Sequence, residues 1–338
     1  MANAPQAGGG TGTVPPPHSA RSDEYDAFGP WIDEVRTADQ IPRLYRDYLV
    51  DFAAARTILK IPRDIERRKA NPGMDLYDNL VILTAEELTI LTRAEAAYTA
   101  VTLALGDIVA MRTSVNLLAG RLDLHSRSAG PVVVRFNSSS RERIDALVDQ
   151  IRDRAWRGER SAGCAQGGDP GWRGERPGRG CDRAADPDRT EAALAPLAES
   201  DLVLVNQTRR DLQADPAARV VAAQARRNIS VKAGARAKFM SWLRPLRLTA
   251  LAVVESGEQV IIRSRASGIA QRRMADYSLA ETFIFAPAAT GVTADPLVTY
   301  HDVTRVSITF ASSAITFETV SGCGVQRALA ERLGPRRA

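Results

Sequence analysis

The amino-acid sequence predicts a mainly β fold with α (α+β), built as two antiparallel modules that each end in an amphipathic helix. Three observations predict it. Short runs of Val, Ile, Leu and Thr recur at strand length between turn residues. Residues 144–151 and 325–333 space their apolar side chains at the helical period instead. Between the two sets lies a tract with no apolar period at all.

Taken in order, residues 1–24 are rich in Gly, Pro and Ala, with Pro15, Pro16 and Pro17 in a row. Such a segment buries too little surface to offset chain entropy and is expected to be disordered. Residues 25–56 form an N-terminal extension with scattered aromatics. A short helix is expected over 38–49, where Ile41, Leu44, Tyr45 and Tyr48 share one face.

The first module is expected over 57–154. Residues 58–61 read as a strand stopped by Pro62, and Asn71-Pro72-Gly73 as a turn. Residues 80–83 and 88–91 flank Thr84-Ala85-Glu86-Glu87 as a hairpin. Further strands are expected at 98–105, 107–113, 120–125 and 132–136. Ser139 with Glu142 reads as a capping box that opens a helix. Ile144, Leu147, Val148 and Ile151 then give it one apolar face, with Arg143, Asp149 and Arg152 outside.

Residues 155–190 read as an Arg/Gly-rich disordered linker. From Arg157 to Arg189 there is no Val, Ile, Leu, Phe, Tyr or Met, and Trp156-Arg157-Gly158-Glu159-Arg160 recurs at 172–176. A solvated linker, an arm for nucleic acid and an out-of-frame translation of GC-rich DNA all give this composition. Residues 191–246 are a basic connecting segment, partly helical, with the apolar run 202–205 and a helix expected over 217–225.

The second module is expected over 247–335. Residues 248–254 and 259–262 flank Glu255-Ser256-Gly257 as a second hairpin. Strands follow at 277–285, 298–303, 307–310 and 314–320, and Val325, Leu329 and Leu333 mark the final helix. Both hairpins end in arginine (Arg93; Arg263 and Arg265), and a tyrosine (Tyr98; Tyr277) leads the next strand, the mark of a diverged internal repeat.

Strands in series with one closing helix resemble the pleckstrin-homology-like fold, over 57–154 and 247–335. The stretch from Leu59 through Arg68 to Asp78 also resembles uncharacterised bacterial proteins. The resemblance implies two barrels or half-barrels, each closed by a C-terminal helix. It also implies a place for a lipid headgroup, at basic residues of the first hairpin. Here both turns are acidic, with Glu86 and Glu87 in one and Glu255 and Glu258 in the other. Acidic turns repel a phosphorylated headgroup, so the Arg263/Arg265 pair carries no lipid specificity across.

Length and composition leave the function class open. The 338 residues suit two domains, and 44% hydrophobic residues suit globular cores. Net charge is +5, which permits anionic partners without demanding them. Three cysteines (Cys164, Cys181, Cys323) without a Cys-x-x-Cys spacing predict neither a disulfide framework nor a zinc site. They suit a reducing, cytoplasmic compartment. No signal peptide is read at the N-terminus, and no run reaches the roughly 20 apolar residues of a membrane span.

No catalytic, cofactor or metal set is expected. His18 lies in the polar start, and His125 and His301 stand at strand ends as surface histidines. Gly322-Cys323-Gly324 reads as a turn between strand and helix, because too few residues follow for a dinucleotide fold. The basic segment offers Arg226, Arg227, Lys232, Arg236, Lys238, Trp242, Arg244 and Arg247 to an anionic membrane surface. The reading is a non-enzymatic interaction or scaffold protein, with a protein as partner, docking at sheet edges and beside the closing helices. The alternatives are a peripheral membrane-surface binder using 226–247 and an enzyme without a recognisable motif. Nucleic acid ranks last among the partners.

Overall fold

The structure is a computed structural model and describes residues 23–156, 187–232, 245–271 and 277–334. The expectations for 1–22 and for the Arg/Gly tract at 157–186 lie outside the described residues.

The N-terminal extension opens with α1 (Asp23–Ala27) and a two-residue strand, β1 (Asp33–Glu34). The helix expected over 38–49 is instead two 3-10 turns, Ala38–Gln40 and Arg43–Tyr45. Pro42 between them has an extended ψ and no N–H, so one helix cannot run through. Ile41 and Tyr45 are buried as their spacing predicts, whereas Leu49 is exposed.

Four strands then form a meander: β2 (Thr57–Pro62), β3 (Tyr77–Leu83), β4 (Glu87–Ala94) and β5 (Ala97–Ala104). With β1 they make a five-stranded antiparallel sheet in chain order. A 3-10 turn, Leu105–Asp107, leads into β6 (Ile108–Asn116), β7 (Ala119–Ser126) and β8 (Val132–Asn137). Helix α2 (Arg141–Ala155) closes the series. Ile144, Leu147, Val148 and Ile151 are buried against Leu59, Val81, Leu88 and Ile90.

Two details of α2 differ from expectation. Ser140, not Ser139, is the N-cap of α2 and makes no side-chain cap bond, its Oγ accepting from the Ile32 N–H at 2.9 Å instead. Asn137 Oδ1 caps the preceding 3-10 turn, Ser138–Ser140, by accepting from the Ser139 N–H at 3.0 Å. Trp156, expected in the linker, is 2% exposed, and its indole donates to the Ile108 carbonyl at 2.8 Å. Ala155 is buried too, so the core runs past the expected boundary.

Two helices follow, α3 (Pro187–Ala198) and α4 (Leu202–Ala214). The expected linker therefore ends before 190. Residues 217–225, expected as a helix, hold strand β9 (Arg219–Gln224). The β-branched pair Val220-Val221 and a long antiparallel partner outweigh the helix preference of the alanines. Beyond it come β10 (Arg227–Ile229), β11 (Leu246–Leu248), β12 (Leu251–Ser256), β13 (Gln259–Ser264), β14 (Ile269–Gln271) and β15 (Ser278–Phe285).

Another 3-10 turn, Ala286–Ala288, leads into β16 (Gly291–Pro296), β17 (Val303–Thr309), β18 (Ala314–Val320) and α5 (Gly324–Leu333). Residues 298–303, expected as a strand, are mostly a turn: Val298 is 88% exposed and Asp302 has φ +55°. Gly322 stands at φ +69° in the turn before α5, as the glycine spacing predicts.

The order of the main strands over 57–155 recurs over 219–333: β2-β3-β4-β5 and β9-β12-β13-β15 are each followed by a 3-10 turn, three strands and a helix. The second series interposes β10, β11 and β14, which form a three-stranded sheet of their own. The two series are not separate sheets. Strand β15 pairs with β6 over seven residues, from Ile284↔Ala110 to Ser278↔Asn116. The result is one seven-stranded antiparallel sheet in the order β8-β7-β6-β15-β13-β12-β9. The four sheets of the described residues run in open linear orders, so the fold holds no closed barrel.

Candidate functional site

The densest convergence of charge lies where the two series meet. One face of the seven-stranded sheet presents Ile261 and Arg263 from β13 and Glu281 and Phe283 from β15, because alternate residues of a strand share a face, and Arg265 follows just past the end of β13. Arg263 and Arg265 are only 3% and 5% exposed. Buried guanidinium groups need charged partners, and α4 supplies them.

Arg265 clamps Asp201 with two bonds, Nη2 to Oδ1 at 2.6 Å and Nε to Oδ2 at 2.9 Å, and donates from Nη1 to the Ser278 carbonyl at 2.7 Å. Asp201 is also the N-cap of α4, its Oδ1 accepting from the Leu204 N–H at 3.3 Å. Arg263 makes the same bidentate clamp on Asp211, at 2.6 and 2.7 Å, and its Nη1 faces the Glu281 carboxylate. Helix α2 adds a third wall. Arg141 reaches Glu281 at 3.5 Å and Asp145 at 3.0 Å. Arg152 was expected outside, but it donates to Gln259 Oε1 at 2.9 Å and lies 4.0 Å from the centre of the Phe283 ring.

A cavity of about 290 Å³ opens here, lined among others by Asp149, Arg152, Asp211 and Arg263. Burial pushes the carboxyls of Asp145, Asp211 and Glu281 up, against the pull of Arg141 and Arg263. It pushes the Arg152 guanidinium down. Asp211 and Glu281 are both turned to Arg263, and Asp201 is turned to Arg265, so the arginine forks are spent on internal carboxylates. The chemistry of this arrangement is that of a joint holding α2, α4 and the second series in register. The Arg-x-Arg pair that the resemblance aligned with headgroup binding is part of this joint.

A second joint lies at the other end of β7. His125, expected at the surface, is 7% exposed, with Nδ1 3.0 Å from Ser313 Oγ in the β17–β18 turn. Ser312 Oγ donates to the Ala129 carbonyl at 2.8 Å beside it. Burial pushes the His125 imidazole down from its ordinary value.

The sequence-predicted basic residues are scattered by the fold. Arg226 turns inward to Asp201 at 3.4 Å. Arg227 is exposed and stands 3.8 Å from Asp302. Arg247 donates to Asn228 Oδ1 at 3.2 Å, and Lys232 is exposed, its N–H bonded to the Thr299 carbonyl. Arg236, Lys238, Trp242 and Arg244 lie outside the described residues. His301 is exposed beside Asp302. The acidic partners Asp201 and Asp211 escaped sequence reasoning. The signal for Asp211 was present: it falls three residues after Thr208 and seven after Leu204, on the buried face of α4.

The sheet edges differ in character. Strands β8, β9, β16 and β18 each carry a charged residue: Arg135, Arg219, Asp295 and Glu318. Strand β5 (Ala-Tyr-Thr-Ala-Val-Thr-Leu-Ala) carries neither charge nor proline, and pairs only with β4. Ala97, Thr99, Ala100, Thr102 and Ala104 are exposed along it. No helix of the described residues is long and apolar enough to cross a membrane. No family model, curated protein or solved structure matches the chain.

Proposed function

We propose that this chain is a non-enzymatic interaction or scaffold protein made of two pleckstrin-homology-like modules, a diverged repeat. The observation that carries the reading is the joint itself. Two series of like element order share one seven-stranded sheet, and the arginines that could face a ligand are turned to Asp201, Asp211 and Glu281. What such a tandem presents to the outside is backbone, above all the uncharged edge of β5. An unpaired edge adds strands, with main-chain hydrogen bonds for affinity and alternate side chains for specificity.

A photoreactive side chain at Thr99 tests this in the native cells. Protein adducts at Thr99, but not from the same group at Glu142 on the exposed face of α2, are expected. Equal labelling at both positions, or none at Thr99, removes the reading. The membrane alternative rests on the exposed Arg227 and Lys232. Co-sedimentation with phosphatidylserine vesicles at low salt, lost at high salt, would favour it instead.

A further inference from the structure

We infer that the chain self-associates head to tail, with β16 of one copy adding to the open edge of β5 in the next. The inference rests on the interaction reading above and names the partner as a second copy of this chain.

The argument starts from the joint the chain already makes. Strand β6 follows the 3-10 turn Leu105–Asp107, and β16 follows the 3-10 turn Ala286–Ala288. Strands β5 and β15 are both eight residues long, and each precedes one of those turns directly. Each also pairs with the second strand of a hairpin from that strand's first residue, Glu87↔Ala104 and Gln259↔Phe285. So β16 is the counterpart of β6, and β5 is the counterpart of β15. The internal joint is β6 on β15. It uses one member of each pair and leaves the other member of each pair at a sheet edge: β16 pairs only with β17, and β5 only with β4.

The register transfers from Gly291 to Asp295, and Pro296, which falls opposite Tyr98 and has no N–H to donate, ends the ladder there. Ala110↔Ile284 becomes Gly291 opposite Leu103, Arg112↔Thr282 becomes Thr293 opposite Val101, and Ser114↔Ala280 becomes Asp295 opposite Thr99. No like charges meet, because β5 has none. Native edges are commonly blunted by lysine, proline or an inward charge, and β5 has none of these devices.

The contact between copies is weaker than the internal one. In the chain, α2 crosses onto the neighbouring sheet through Arg152. Helix α5 is ten residues against fifteen for α2, and the matching face of the first sheet is already covered by Phe28, Ile41 and Tyr45. Strand pairing alone then holds the copies, and it is reversible. Because the two edges differ, each addition exposes a fresh edge, so association grows with concentration rather than stopping at a symmetric pair.

Sedimentation velocity on the full chain tests this with two blocked variants. Thr99→Lys with Ala100→Lys puts a cation on each face of β5, and Thr293→Lys with Ala294→Lys does the same on β16. The parent is expected to form species larger than a dimer as concentration rises to about 100 μM, in the range of weak protein contacts. Each variant alone stays monomeric, and an equal mixture of the two forms a dimer and nothing larger. Circular dichroism and melting equal to the parent's show that both variants fold. A monomeric parent, or a mixture that stays monomeric, overturns the inference. So does a β16 variant that dimerises by itself, since that means β5 on β5. If self-association fails while the photoreactive group at Thr99 still traps other proteins, the interaction reading stands and only the identity of the partner falls.

Discussion

The outer faces of the two four-stranded meanders hold the same place in the two series and are covered by opposite chemistry. Counted from the first residue of the second hairpin strand, Leu91 in β4 and Arg263 in β13 coincide, as do Arg93 and Arg265. Leu91 packs in a dry cluster with Leu80, Ile82, Tyr45 and Phe28, under the irregular N-terminal extension. Arg263 lies under two helices and is satisfied by carboxylates. An apolar face accepts any apolar cover, and an extension of 3-10 turns suffices. A face with buried arginines accepts only a cover that brings carboxylates to fixed points, which needs rigid helices. The difference teaches that the second series depends on specific partners, and the first on area.

The largest expected effect breaks the charged side. Asp201→Ala removes the N-cap of α4 and leaves Arg265 buried without its clamp. Stripping one partner from a buried pair costs about 3–5 kcal/mol, and losing a cap adds about 1 kcal/mol. Urea unfolding should show a fall of that combined size. A change below about 1 kcal/mol, the level of an exposed ion pair, would mean that Arg226 and Arg265 find water or other partners. On the dry side, Leu91→Ala should cost about 2–5 kcal/mol, the range for a buried leucine, and should leave α4 and its ion pairs intact. Hydrogen exchange on α4 reads that independence directly.

A sharper version exchanges the chemistry instead of breaking it. Asp211→Leu, Arg263→Met and Glu281→Leu together turn the charged face into a dry one. Replacing a whole buried ionic set by apolar groups is neutral or stabilising by about 1–4 kcal/mol in other proteins. The triple variant should therefore melt at or above the parent, while Arg263→Met alone melts well below it. If the triple variant also melts low, the network is needed to place α4.

Much of this architecture is legible in the sequence. Residues 80–83, 88–91, 132–136 and 144–151 announce strands and helix through apolar runs and spacing, because those elements are buried on at least one side. Strand β16 is missed because Gly-Val-Thr-Ala-Asp-Pro shows no apolar period; its side chains are half-buried or exposed throughout. Strand β9 is missed because its alanines favour a helix and its partner β12 lies about thirty residues on, beyond any local signal. The candidate joint is legible in part. Arg263 and Arg265 stand out in a strand pattern, but their partners come from a helix 52 and 64 residues upstream. The β6–β15 pairing has no signature at all, since an edge match between distant strands is a property of three-dimensional placement.

The smallest expected effect concerns the other joint and turns on sign. His125 is buried with its imidazole held below its ordinary value of 6.5. A depressed imidazole means that the unfolded chain takes up the proton more readily. This stabilising contribution is complete above pH 6.5 and is lost as pH falls through the folded value. The carboxyls of Asp145, Asp211 and Glu281 act the other way. Their raised values favour the folded chain at low pH, and that contribution shrinks as pH rises through them. On mild acidification the two joints therefore oppose each other, and the parent's melting point alone cannot separate them. His125→Gln can. At neutral pH it should melt within about 1 kcal/mol of the parent, the worth of one hydrogen bond to Ser313. Between about pH 7.5 and 5.5, where an imidazole titrates, the parent should lose more stability than the variant. The residual slope of the variant reports the carboxylates. Equal slopes would show that His125 is free to protonate in place, and that the β7 end of the shared sheet opens to water.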